Sequence, residues 1–272
     1  MKLSQLLKIA NSLQRQAGVN DPYIFKAVFM AGGPGSGKSF IADQLFQGMG
    51  VKFLNSDKAF EYLLKKRSLS FDINPDNPEE YAKQMEAREW AKQLTDITNV
   101  NWVNGMLGMV LDGTGAKYEK IKGARAGLEA IGYDTAMVFV NTSLEVAHER
   151  NKARERTVPD SVVEEDWHAV QNNMGKFQNL FSTSNFLVVD NSKSLNSSEL
   201  AKLGMTLRKA AMKLLNRPIQ NPIGRATVEF LKKTKGKTLL DAKDFIVEHA
   251  ASTKRLAAFV CYHGRRWYQA CK

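Results

Sequence analysis

The stretch IFKAVFMAGGPGSGKS, residues 24–39, decides the fold. Its first half is an apolar run that suits a buried strand. Its second half, Gly32 to Ser39, is a complete glycine-rich phosphate-binding loop. A strand that feeds such a loop, which then feeds a helix near Lys38, is the opening unit of a parallel α/β sheet. Successive backbone N–H groups in such a loop cradle phosphate oxygens. Lys38 reaches the outer phosphates, and the Ser39 hydroxyl ligates the magnesium that accompanies ATP. Gly33, Pro34, Gly35, Ser36, Gly37, Lys38, Ser39 and Phe40 are therefore the candidate nucleotide-binding residues.

Outward from this loop, short apolar runs alternate with helical stretches. The runs at 25–30, 51–54, 107–111, 135–140 and 186–189 are expected strands. Helices are expected over 37–48, 78–98, 118–130, 161–181 and 198–215, with a further helix opened by a capping box from Thr142 to Glu145 and running toward Arg150. The pattern predicts an α/β fold of the P-loop NTPase kind, with a mostly parallel sheet covered by helices on both faces.

The segment 216–224, with two prolines and a glycine, reads as a boundary. It divides a P-loop domain, 1–216, from a small basic helical domain or extension, 217–272. Of the formal net charge of +11, the last 56 residues carry +8, from 12 Lys+Arg against 4 Asp+Glu. Helices are expected there at 226–233, 239–249 and 253–270. The extension reads either as a packed appendage or as a nucleic-acid-binding one, since a basic field favours a polyanionic partner. The start, MKLSQLLKIANSLQRQ, reads as an amphipathic helix with Leu3, Leu6, Leu7 and Ala10 on one side rather than as a signal peptide. No apolar run approaches the length of a membrane span. Two cysteines, Cys261 and Cys271, lack partners at metal-ligand spacing, so a reducing cytoplasm is expected and a metal cluster is not.

Three further elements carry chemistry. Asp57, just beyond the second strand, sits where a carboxylate can take the proton of an incoming hydroxyl; the competing reading is a helix N-cap before KAFEYLL. Asp112 ends an apolar run in LDGTG, as a magnesium ligand or an acceptor contact would, and Thr114 offers a hydroxyl to the acceptor; an ordinary strand-to-helix turn is the alternative. Arg150, Lys152, Arg154 and Arg156 precede Pro159, and these charges suit a lid that closes over phosphates; the alternative is a solvated helix end. Trp167, Phe177 and Phe181 have helical spacing and read as core, and His168 as a surface residue.

GGPGSGKS, NSD (55–57), LDGTG (111–115) and RNKARERTVP (150–159), in this order, resemble the P-loop kinase group of phage 5′-hydroxyl polynucleotide kinases and zeta-toxin kinases. The resemblance covers about residues 25–190. It implies ATP and Mg2+ as donor and cofactor, Asp57 as general base, Lys38 in its usual place and Arg154 as the lid arginine on the transferred phosphate, with Arg150 beside it. Ser39 and Asp112 become candidate metal ligands. Asp57, Lys58, Asp112, Thr114 and Arg156 become candidate acceptor-binding residues. The implied acceptor is a polynucleotide 5′-hydroxyl, or UDP-N-acetylglucosamine or another small nucleotide, in a bacterial host cytoplasm if the chain is phage-encoded. A nucleic-acid-binding P-loop protein without kinase activity is the third reading, and Asp57 argues against it, because a nucleotide switch needs no base for an acceptor hydroxyl. One position departs from both groups. They commonly carry arginine three residues after the base, where this chain has Phe60. Lys58, Lys65, Lys66 and Arg67 are the nearby cations.

Overall fold

The computed structural model describes residues 17–154, 157–193 and 197–234. The amphipathic start, Arg156, both cysteines and the two expected helices beyond residue 234 lie outside the described residues.

Five strands, β1 (Lys26–Ala31), β2 (Lys52–Leu54), β3 (Met109–Asp112), β4 (Asp134–Asn141) and β5 (Phe186–Asp190), form one sheet in the order β2-β3-β1-β4-β5. Every neighbouring pair is parallel. The helices are α1 (Lys38–Phe46), α2 (Ser56–Lys66), α3 (Pro78–Asn104), α4 (Tyr118–Ala130), α5 (Leu144–Lys152), α6 (Asp160–Phe181), α7 (Ser197–Leu215) and α8 (Pro222–Lys233). This is the α/β architecture of P-loop NTPases that the alternation of runs predicts.

Both faces of the central strands β1 and β4 are buried, which is why they read as continuous apolar runs, while the edge strands β2 and β5 are partly exposed. Ala27, Phe29 and Ala31 face a core completed by Ile121 and Leu128 of α4 and by Val170, Phe177 and Phe181 of α6. Val28 and Met30 point the other way, toward Ile41, Leu45 and Phe46 of α1 and Leu207, Ala211 and Leu215 of α7. A third cluster lies away from the sheet, where Phe60, Leu63 and Leu64 of α2 meet Ala87 and Ala91 of α3.

Several expected boundaries shift. The third strand starts at Met109 rather than 107, because Leu107 still closes the end of α3 through its N–H to Trp102 O at 3.0 Å. That helix runs six residues past the expected end at 98. The first helix is shorter than 37–48: Gly37 has φ 80° and Gly48 φ 76°, so neither is helical. The capping box also moves by one residue. Ser143, not Thr142, caps α5 by accepting from Val146 N at 3.3 Å, and Thr142 Oγ1 turns instead to Asn191 O.

The 216–224 segment is tied to the sheet's amino-terminal edge. Asp134, ion-paired with Lys26 at 2.7 Å, also accepts from the backbone N–H groups of Gln220 (2.9 Å) and Asn221 (2.8 Å). Asn221 donates to Glu129 O and caps α8, whose Val228 joins the core under β1. A cavity of about 530 Å³ beside this junction is lined by Lys26, Asp134 and Arg217. It opens at the edge of the sheet opposite the phosphate loop.

Candidate active site

The loop of residues 32–37 leaves the carboxyl end of β1, and the ends of β3, β4 and β5 surround it. Ligands of open parallel sheets bind at this edge. Two glycines are demanded by geometry. Gly35 (φ 74°) and Gly37 (φ 80°) are left-handed, and a Cβ on Gly35 would run into Ala147 O while one on Gly37 would run into Asn191 Nδ2. The loop is held from outside as well. Asn191, just past β5, donates its Nδ2 to Ser36 O at 2.8 Å, and its own carbonyl receives Arg150 Nη1 at 2.9 Å. Gly32 N donates to Thr114 O at 2.8 Å, which joins the phosphate loop to the loop after β3.

These contacts bring the first turn of α1 into a defined place with no side chain capping it. Its N–H groups, with the Ser39 hydroxyl in the same turn, match the anion-binding terminus that a nucleotide phosphate requires. Lys38 Nζ donates to Gly32 O at 2.5 Å and Gly33 O at 3.4 Å. Burial lowers the Lys38 pKa from its usual value and the Arg154 charge adds to that, while Asp112, Asp57 and Asp166 oppose it.

Asp112 ends β3 beside Met30 of β1. Its Oδ2 accepts from Asn55 Nδ2 at 2.6 Å, and its Oδ1 is buried without a hydrogen-bond partner among the described residues. Burial raises the Asp112 pKa, the Asp57 charge adds to the rise, and Lys38 and the Asn55 hydrogen bond oppose it. An unpaired buried carboxylate oxygen near an uncapped helix terminus fits magnesium held by few protein ligands plus phosphate oxygens. Ser39 and Asp112 are the residues that would hold it.

Asp57 does not cap its helix. Asn55 does, accepting from Asp57 N at 2.7 Å and Lys58 N at 3.0 Å, so the Asp57 carboxylate projects from the first turn of α2 without that duty. The N-cap alternative for Asp57 is thereby replaced. Lys58 follows on the exposed side of α2, and Phe40 is likewise exposed one residue past Ser39.

The arginine segment leaves α5 and returns at Pro159. Buried Asn151 closes its base by donating to Val158 O at 2.8 Å and accepting from Val158 N at 3.2 Å. His148 reaches Asp160 at 3.2 Å and Glu164 at 3.5 Å, which fastens α5 to α6. Arg150 reaches the loop region from here through its bond to Asn191 O, and the Arg154 charge helps lower the Lys38 pKa.

Trp167 departs from the expected core role. Phe177 and Phe181 are buried in the core, but the Trp167 backbone passes beside Gly33 and its Nε1 donates to Thr142 O at 2.9 Å. Asn55, Asn151, Asp166 and Asn191 were not distinguishable in sequence as site residues. Asn55 and Asn191 act through partners distant along the chain, Asp112 and Ser36, and Asn151 acts on Val158 within the arginine segment.

A cavity of about 580 Å³ adjoins this edge, lined on one side by Asp112, Gly113, Thr114 and Lys117 and on the other by the α3 residues Arg88, Lys92, Thr95 and Asn99. Asp166 of α6 also lines it; burial raises the Asp166 pKa, Glu165 adds to the rise, and Lys38 and Lys117 oppose it. Phe60 is not in its wall; it is 2% exposed within the α2–α3 cluster. The cavity is therefore neither closed by Phe60 nor built from it.

A P-loop NTPase-like fold with a cavity of about 580 Å³ beside its phosphate loop is what fold and site define. Residues 28–177 match the family model of the AAA domain, and the chain belongs to that family. Among solved structures, the AvrRxo1-ORF1:-ORF2 complex is 15% identical at TM-score 0.52, over 91% of this chain and 88% of that one. The PezAT toxin-antitoxin system of Streptococcus pneumoniae is 15% identical at TM-score 0.49, over 79% and 95%. Shikimate kinase from Bacteroides thetaiotaomicron is 14% identical at TM-score 0.40, over 67% and 96%. At 15% identity the likeness to the AvrRxo1-ORF1:-ORF2 complex shows the fold alone. No curated protein matches the chain in sequence. Among the described residues no helix is long and apolar enough to cross a membrane.

Proposed function

We propose that this protein is an ATP-dependent kinase that moves the γ-phosphate to an acceptor hydroxyl. The observation that carries the reading is geometric. Asn55 bonds both Asp112 and the Asp57 N–H, and Gly32 N bonds Thr114 O, so the candidate base and the candidate metal ligand are tied to each other and to the phosphate loop. A nucleotide switch has no need of that base or of the cavity beside it.

In this reading the α1 terminus and Lys38 hold the donor phosphates, while Arg150 and Arg154 close over them. Ser39 and Asp112 would hold magnesium, which would neutralise charge on the phosphate oxygens. Asp57 accepts the proton of the acceptor hydroxyl as that oxygen bonds to the γ-phosphorus and the bond to the bridging oxygen breaks, releasing ADP. The first acceptor to test is a polynucleotide 5′-hydroxyl, supported by the net charge of +11 and its concentration in the C-terminal segment. A nucleotide sugar or other small nucleotide is the second reading, favoured by a cavity of about 580 Å³, the size of small-molecule sites.

Incubation with γ-labelled ATP, a panel of 5′-hydroxyl oligonucleotides and UDP-N-acetylglucosamine tests both. Label on the oligonucleotide, lost in Asp57→Asn, supports the first; label only on the sugar nucleotide supports the second. Label on neither, with ATP hydrolysis intact, overturns the kinase reading.

A further inference from the structure

We infer that Arg88 of α3, assisted by Lys92, is the subsite for a phosphate group carried by the acceptor; this rests on the kinase reading above. Arg88 and Lys92 are one helical turn apart on the face of α3 that lines the acceptor cavity, across from Asp112 and Thr114. The Arg88 guanidinium lies 5.8 Å from the centroid of the Phe60 ring. Phe60 is buried and Asp57 is one turn before it on α2, so the ring fixes this cation beside the turn that carries the candidate base. No ion pair engages Arg88 among the described residues. A planar guanidinium with its fork of donors open to a cavity suits bidentate binding of a phosphate.

Lys117 and Lys120 line the opposite wall of the cavity, and Lys92 is within 3.6 Å of exposed Glu89, whereas the cations at the end of α2 are engaged away from it. Arg67 pairs with Glu86 at 2.9 Å, and the Lys65 and Lys66 ammonium groups lie over Phe71 and Tyr62. Further along the same face of α3, Asn99 Oδ1 is buried with no hydrogen-bond partner among the described residues. The face thus presents cations at one end and an unsatisfied acceptor beyond them. That order matches a molecule with a phosphate at one end and an N–H or O–H donor in its body, as in a nucleotide. The phosphate could be the 3′-phosphodiester of a strand's first nucleotide or the diphosphate of a nucleotide sugar, and the shared chemistry is the phosphate.

The test compares paired acceptors with and without that phosphate: thymidine 3′-phosphate against thymidine, and UDP-N-acetylglucosamine against N-acetylglucosamine. Steady-state kinetics and calorimetric titration in the presence of a non-hydrolysable ATP analogue are run on the wild type, Arg88→Ala and Lys92→Ala. The expected result is a wild-type preference for one phosphorylated member that falls about 10- to 100-fold in Arg88→Ala, and less in Lys92→Ala, as loss of a charge-assisted hydrogen bond predicts. The pair that responds identifies the source of the phosphate. Phosphate-dependent binding that Arg88→Ala removes, without turnover of any acceptor, supports the subsite while sinking the kinase reading. A preference unchanged in Arg88→Ala, or no phosphate-dependent binding by the wild type, overturns the inference.

Discussion

Asn55 joins Asp112 to the start of α2: its Nδ2 donates to Asp112 Oδ2 at 2.6 Å while its Oδ1 accepts from Asp57 N and Lys58 N. One amide thus sets the distance between the candidate metal ligand and the candidate base. Asn55→Ala removes a cap worth about 0.5–2 kcal/mol and releases Asp112. Asn55→Asp keeps the cap and places a second carboxylate against Asp112. Thermal melts and acceptor kinetics should separate them: Asn55→Ala loses stability and turnover together, and Asn55→Asp loses more turnover than its stability change accounts for. An Asn55→Asp variant with wild-type turnover and stability would show that the amide only caps.

Asp57→Asn should lower transfer to the acceptor by about 10²–10⁴-fold, the range of a general base, with the ATP dissociation constant nearly unchanged. The side chain meets the acceptor hydroxyl rather than the donor phosphates in the proposed arrangement. Single-turnover transfer and nucleotide titration measure the two quantities. A large loss of ATP affinity would place Asp57 on the donor instead.

The raised pKa of Asp112 carries a pH signature. Below the ordinary carboxylate pKa of about 4 the group is neutral in both folded and unfolded chains and costs nothing. As pH rises, the unfolded chain ionises first, so the folded protein loses stability until its own, higher pKa is passed. Asp112→Asn removes that slope. At neutral pH the variant should melt higher than the wild type without nucleotide or magnesium, the gap should close toward pH 4, and transfer should be lost. Urea unfolding across pH checks it; a variant less stable at neutral pH would show that the carboxylate is better satisfied than its environment indicates.

Asn191→Ala should weaken ATP binding by about tenfold, the equivalent of one hydrogen bond of about 1.4 kcal/mol, although Asn191 lies outside the phosphate loop. Its Nδ2 fixes Ser36 O and its carbonyl fixes Arg150. Fluorescence titration with an ATP analogue reads the change, and unaltered affinity would mean that the loop holds its shape unaided.

Two truncations separate packing from partner binding in the C-terminal segment. Removal of residues beyond 217 takes away Asn221 and α8, which are bonded to Glu129 and Asp134 and packed on the core, and should lower the melting temperature by several degrees. Removal beyond 234 leaves those contacts in place. If the segment binds nucleic acid, the second truncation should weaken salt-sensitive oligonucleotide binding while ATP binding stays. Equal losses of both ligands would point to a packing role.

The positions of the five strands along the chain were legible in the sequence because each is a short apolar run bounded by a turn or a cap, whereas their order in the sheet, β2-β3-β1-β4-β5, was not. Boundaries were less legible where helix and strand meet in apolar sequence, as at Leu107, whose N–H closes α3 rather than pairing in β3. Local signals also failed where two capping residues compete: Asn55 and Asp57 are both good N-caps, and the chain uses Asn55 because its amide can bond Asp112 at the same time.

The sequence by itself determined the phosphate loop, the carboxylates at the ends of β2 and β3 and the arginine segment, since each is a local pattern that works through its own backbone geometry. Only the tertiary structure decided what surrounds them. It placed Asn191 on Ser36, set Trp167 beside Gly33, buried Phe60 between α2 and α3 and laid Arg88 over its ring. Those relationships join residues 28 to 155 positions apart, and no local pattern encodes such a pairing. They arise when the hydrophobic faces of α2, α3, α6 and the sheet pack, and packing brings into contact side chains whose sequence neighbourhoods give no sign of one another.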